Sequence, residues 1–172
     1  MNQSPIEHQP TTPSREPPEV FRTQILVRFR DCDPAGMVFY PRYLEMFNNL
    51  VEDFFRDRLE LSFEDLLARG WGIPTVHLNA DFFQPSRIGE TLDASLAVTR
   101  LGQSSIYLEV VMKGPGDVNR VRGNVVLVLT DQAANRAQLI PDDLRTKLGR
   151  YVEPILKDKV DANSSTSPMD AA

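Results

Sequence analysis

The sequence predicts an α+β domain in which one long helix lies against an antiparallel sheet. Leu44, Phe47, Leu50, Val51, Phe54 and Phe55 recur at helical spacing in a stretch running from about Pro41 to Leu59. Elsewhere apolar residues alternate with polar ones in runs joined by turn residues, the signature of hairpin-linked strands with one dry face. With 172 residues and 41% hydrophobic content, the chain is long enough for one domain with its own core.

Residues 1–19 carry Pro5, Pro10, Pro13, Pro17 and Pro18 among polar side chains and are expected to be a disordered tail, with His8 inside it. The domain is expected over residues 20–153. Phe21, Thr23, Ile25, Val27 and Phe29 alternate with polar residues and predict the first strand. Pro41 is placed at the first helical position, where a missing N–H does least harm. Ser62 and Asp65 form a variant capping box for a second helix ending near Arg69, with Gly70 at its stop. Strands follow on Val76, Leu78, Ala80 and Phe82, on Leu92, Ala94, Leu96 and Val98, and on Ile106, Leu108, Val110 and Met112. Gly102 marks one turn and Gly114-Pro115-Gly116-Asp117 another. The last strand, on Val121, Val125, Leu127 and Leu129, also carries Val126 and Val128, so it is expected in the middle of the sheet or at a subunit contact. A short helix is read from Asp142 to about Val152, then a disordered tail over 154–172.

The chemistry concentrates where the first strand meets the long helix. Asp33 lies in a loop rich in acid, Gly and Pro, just ahead of the helix N-terminus. A carboxylate that can attack or take a proton there stands beside unpaired backbone N–H groups that can hold an oxyanion, a pairing suited to acyl transfer. The amides of Tyr40, Gly36 and Arg42 are the candidate donors. Asp33 as a cap or loop pin is the plain alternative. Asp31 should point the opposite way on an extended chain and make a structural hydrogen bond. Cys32, the single cysteine, excludes an internal disulfide and fits a reducing compartment. Flanked by two acids, it is a poor thiolate nucleophile.

The string Asp31-Cys32-Asp33-Pro34-Ala35-Gly36, followed by Phe39-Tyr40-Pro41 and Tyr43, resembles the opening motif of the 4-hydroxybenzoyl-CoA thioesterase family. Weaker likeness continues through Arg69-Gly70, Pro74, Asn79-Ala80, Phe82 and Pro141. The resemblance implies the hotdog fold, an antiparallel sheet wrapped around one central helix, and dimers often paired into tetramers with active sites at the dimer interface. It implies a small-molecule acyl-CoA substrate, aryl or short to medium chain, and no metal or redox cofactor. Asp33 takes the catalytic position, as nucleophile or general base, and the Tyr40 amide that of the thioester-polarising donor. Gly36 would give the backbone room to turn or to approach the ligand.

Asn48 stands where the hydroxybenzoyl enzymes carry an acid that approaches the ring hydroxyl from the partner subunit. It can bond a hydroxyl, though without charge assistance. Trp71 would border the acyl pocket or pack as core, and His77 would line the pocket or serve structure. The basic cluster of the family is absent at Gly102-Gln103-Ser104, which leaves Arg100, Arg122, Arg120, Lys113 and Arg87 as phosphate contacts, or a carrier-protein arm in place of free CoA. The rivals are a hotdog hydratase or dehydratase and a non-catalytic acyl-thioester binding module. A net charge of −5 gives no reason to expect a nucleic-acid partner. The polar first twenty residues lack a signal or membrane segment, so a cytoplasmic protein is the expectation.

Overall fold

The computed structural model describes residues 18–152. In chain order the elements are β1 (Phe21–Leu26), α1 (Tyr40–Leu59), α2 (Phe63–Ala68), β2 (Trp71–Gly72), β3 (Thr75–Phe82), β4 (Thr91–Leu101), β5 (Ser105–Gly114), β6 (Val118–Val128), β7 (Thr130–Asp131), β8 (Arg136–Ala137) and α3 (Asp142–Gly149). Five strands form one antiparallel sheet in the order β1-β4-β5-β6-β3, and β2, β7 and β8 form a small second sheet.

The alternating residues of β4 and β5 are all buried, as expected: Leu92, Ala94, Leu96 and Val98, then Ile106, Leu108, Val110 and Met112. They meet Met46, Phe47, Leu50, Val51, Phe54 and Phe55 of α1 in one core. Close approach of helix to sheet needs Gly123 on β6: a Cβ there would lie 2.2 Å from a ring carbon of Phe47 and 2.9 Å from the Asn79 carbonyl oxygen. The far end of α1 is closed by Lys147, whose Nζ donates to the Leu59 carbonyl at 2.7 Å and to the Glu60 carboxylate at 2.9 Å.

Several expectations need correction. Helix α1 begins at Tyr40, so Pro41 is its second residue. Strand β1 ends at Leu26 because its partner β4 begins opposite it, at Thr91; Phe29 then sits in a one-turn 3-10 helix, 84% exposed. Strand β3 has no fully dry face. It is an edge strand, a register shift between Thr75 and His77 disturbs its alternation, and Val76 and Phe82 are exposed. Strand β6 lies between β5 and β3, and its Val126 and Val128 are half-buried. Helix α3 stops at Gly149 because the next residues pair instead with β4, the Val98 N–H donating to the Tyr151 carbonyl at 3.2 Å. The capping box of α2 forms as read, with Ser62 N–H on the Asp65 carboxylate and Asp65 N–H on the Ser62 hydroxyl. The expected tails lie outside the described residues, apart from residues 18 and 19; the Glu19 N–H donates to the Arg150 carbonyl at 3.0 Å.

Replacing Gly123 by Ala should destabilise the domain by about 1–3 kcal/mol, the usual range for overpacking. A denaturant midpoint reads this, and adding Phe47→Leu should recover part of the loss.

Candidate active site

Residues 32–38 form a small closed loop between the end of β1 and α1. Its ends meet in a bridge between Cys32 and Val38, and the Asp33 N–H donates to the Met37 carbonyl at 2.8 Å. Gly36 lies at φ 72° with open space where a Cβ would stand, so it serves the turn. The Asp33 Oδ1 accepts from the amides of Ala35 at 2.9 Å and Met37 at 3.4 Å. Its Oδ2 has no protein donor among the described residues. Asp31 behaves as expected: it is buried, and its Oδ2 accepts the Arg28 N–H at 2.8 Å.

The helix start is uncapped. Phe39 is the N-cap and offers no side-chain acceptor, and the Tyr40 N–H finds no acceptor among the described residues. A missing cap costs about 1 kcal/mol. Eight buried side chains on α1 outweigh it, since full burial of a large apolar side chain contributes about 1.5–3 kcal/mol. The helix therefore tolerates a free donor at the end of the loop that holds Asp33. The Tyr40 ring is exposed and packs edge-on to Phe39 and Phe82.

The loop is also tied to residues 86–88. Val38 N–H donates to the Ser86 carbonyl at 2.9 Å, Met37 bridges Arg87, and Ile88 N–H reaches the Gly36 carbonyl at 3.4 Å. Of the basic candidates, Arg87 is the one this brings against the loop. Arg100 and Arg122 lie on the sheet face turned away from α1: Arg100 stacks 3.6 Å from the Tyr107 ring centre, and Arg122 pairs with Glu109 at 3.3 Å. Arg120 is held by Glu90 at 3.1 Å and Lys113 by Asp117 at 2.9 Å.

An apolar cavity of about 200 Å³ opens between α1, α2, β3 and β6, with Phe47, Val51, Phe63 and Leu78 in its wall. Asn48 and Thr75 supply its polar groups. The Asn48 Nδ2 donates to Glu52 at 2.7 Å, which leaves its Oδ1 as an acceptor. Trp71 is absent from this lining; it sits half-buried on β2 beneath Arg69. His77 is exposed on β3 and likewise outside the cavity. Sequence reasoning missed Ser86, a fully buried serine in an irregular segment with no periodicity to flag it. Burial raises the Cys32 thiol above its ordinary pKa, and the charges of Asp31 and Asp33 push it further the same way.

A sheet curled on one helix, with an acid loop at that helix's N-terminus, defines a hotdog-fold protein. The chain belongs to the thioesterase-like superfamily, whose family profile matches residues 27–148. It is 31% identical over 75 residues, 43% of its length, to a 1,4-dihydroxy-2-naphthoyl-CoA hydrolase of Synechocystis. It is 33% identical over 94 residues, 50% of its length, to one of Prochlorococcus marinus. The matches span 54% and 60% of those curated relatives. Among solved structures, a Staphylococcus aureus protein in complex with CoA aligns with TM-score 0.74 at 14% identity, over 80% of this chain and 86% of its own. A 1,4-dihydroxy-2-naphthoyl-CoA thioesterase from Synechocystis aligns with TM-score 0.71 at 21% identity, over 76% of this chain and 96% of its own.

The raised thiol makes a prediction about Cys32. It should react slowly with iodoacetamide at neutral pH and faster as pH climbs, because the thiolate is the reactive form.

Proposed function

We propose that this chain is an acyl-CoA thioesterase that hydrolyses an aryl-CoA ester to the free acid and CoA, in the manner of the 4-hydroxybenzoyl-CoA enzymes its loop motif resembles. The observation that carries this is one short loop that holds Asp33, one oxygen of its carboxylate without a protein donor among the described residues, and ends at an uncapped helix start whose Tyr40 N–H has no acceptor among them. The two curated relatives, both named as hydrolases of an aryl-CoA, support the substrate class. The cavity beside Asn48 supports it too: its walls suit a ring, and the free Asn48 Oδ1 suits a hydroxyl on that ring.

In this reading the Tyr40 N–H polarises the thioester carbonyl and holds the oxyanion as it forms. Along the nucleophilic route, a carboxylate oxygen of Asp33 attacks the carbonyl carbon. The C–S bond breaks, CoA leaves as thiolate and takes a proton, and water hydrolyses the mixed anhydride to restore Asp33. Along the general-base route, Asp33 takes the proton of an attacking water. Both routes use a side chain, a backbone amide and water. We assign the phosphate charge of CoA to Arg87, a reading supported by the backbone bridge that ties Arg87 to Met37 of the loop. Exposed Phe39, Tyr40 and Phe82 close to the open edge of β3 support self-association as a dimer or tetramer.

One observation favours a rival. The bonds from Ala35 and Met37 to Asp33 are those of a loop pin, which a binding module without catalysis would equally need. Thiol release from benzoyl-, 4-hydroxybenzoyl-, 1,4-dihydroxy-2-naphthoyl-, phenylacetyl- and straight-chain acyl-CoAs separates the two, with Asp33→Asn run in parallel. The thioesterase reading predicts turnover of an aryl-CoA by the native chain and a loss of at least about a hundredfold in kcat for Asp33→Asn. Binding without turnover would establish the module instead.

A further inference from the structure

Between the loop and the long helix lies a buried polar pair that the proposed chemistry does not use. The Tyr43 hydroxyl donates to the Ser86 Oγ at 2.8 Å and accepts the Ser86 N–H at 3.2 Å. Tyr43 is 4% exposed and Ser86 0%. The same Ser86 offers its carbonyl to the Val38 N–H at 2.9 Å. One residue of a distant segment therefore makes three hydrogen bonds that grip the chain on both sides of the Phe39–Tyr40 peptide, at Val38 before it and at Tyr43 after it.

That peptide carries the free N–H. Its carbonyl accepts the Arg42 N–H at 2.8 Å, but no i−4 acceptor and no side-chain cap holds its N–H among the described residues, so its orientation rests on that one bond and on its flanks. On the near flank, the Phe39 N–H donates to the Asp31 carbonyl at 3.0 Å. On the far flank, Tyr43 is three residues along the first turns of α1. For stability alone, Phe at 43 against an apolar residue at 86 would serve as well, since swapping both partners for apolar groups of similar shape is often near neutral.

We infer that Tyr43 and Ser86 are positioning residues, which hold the Tyr40 amide and the Asp33 loop in register for a thioester carbonyl. The inference rests on the thioesterase reading. Losing one oxyanion donor costs about 10²–10³ in kcat, so a donor displaced but not removed should cost about 10–100-fold.

The test uses the full chain as Tyr43→Phe, Ser86→Ala and the double variant, with the best substrate of the acyl-CoA panel. Tyr43→Phe, which removes both bonds to Ser86, should lose about 10–100-fold in kcat with KM within about threefold; Ser86→Ala, which keeps the Ser86 N–H bond to the Tyr43 hydroxyl, should lose kcat in the same direction but less, and the double should be no worse than Tyr43→Phe by more than about twofold. The second readout is the infrared carbonyl stretch of benzoyl-CoA, ¹³C-labelled at the thioester carbon and bound to Asp33→Asn. Its shift to lower frequency on binding should shrink when Tyr43→Phe or Ser86→Ala is added. A purely structural bridge would lower Tm and leave kcat and the carbonyl shift unchanged, which overturns the positioning role alone. If Tyr43→Phe does not fold, Ser86→Ala decides. A native chain that hydrolyses no thioester in the panel removes the thioesterase reading and this inference with it.

Discussion

The contact of Phe47 with bare backbone at Gly123 sets the depth at which α1 lies on the sheet, and most of the molecule follows from that depth. Leu50, Phe54 and Phe55 reach the core because the helix axis is close enough for them to do so. The two ends of α1 are then fixed in space, and each meets a different fate. The C-terminal end is closed by Lys147, a cation on the last carbonyls where the helix dipole favours one. The N-terminal end receives no cap at all. Core packing large enough to absorb that omission is what permits an unsatisfied donor to stand at the surface.

Around that donor, every backbone N–H of residues 31–39 finds an acceptor. Asp31 turns inward to its own turn, Asp33 ties Ala35 and Met37, Phe39 bonds back to Asp31, and Val38 crosses to Ser86. Such a loop is compact through its own hydrogen bonds, since little of it is buried. Segment 83–90 acts as the outer wall. It is itself fastened to β6 by the Phe83 N–H on the Arg120 carbonyl and by the Arg120 side chain, whose half-buried pairing with Glu90 closes the far end.

Much of this was legible in the amino-acid string. The alternation on β4 and β5 buries one whole face, and the stripe on α1 is buried except for the half-buried Leu44, so period and burial agree closely. The Ser62–Asp65 box was legible because its partners are three residues apart. What escaped was set by distant partners. The end of β1 depends on where β4 starts, and the exposed Val76 and Phe82 reflect an edge position that alternation alone does not encode. The two-residue strands β2, β7 and β8 are too short to show a period. The Tyr43–Ser86 pair spans 43 residues, so neither member could be assigned from its own neighbourhood. At the candidate site the motif pointed to Asp33 and Tyr40, while the basic candidates fall in different places, Arg87 against the loop and Arg100 and Arg122 on the sheet face turned away from α1: charge is visible in a sequence, but the face of the sheet that carries it is not.

The bonds that look purely structural at Asp33 bear on reactivity as well. Both are accepted by Oδ1 from amides of its own loop, so among the described residues the carboxylate is held without a counter-ion and Oδ2 is left open. A carboxylate free to rotate would have to be ordered again at each encounter with a thioester, whereas one already fixed by its loop meets the carbonyl with that entropy spent during folding. An arginine partner would fix it equally well but would compete for the oxygen that must attack or take a proton. Amide donors on one oxygen give order and leave the other oxygen open. For that reason loop pin and catalyst are compatible roles for one residue, and the decisive question becomes what meets the second oxygen.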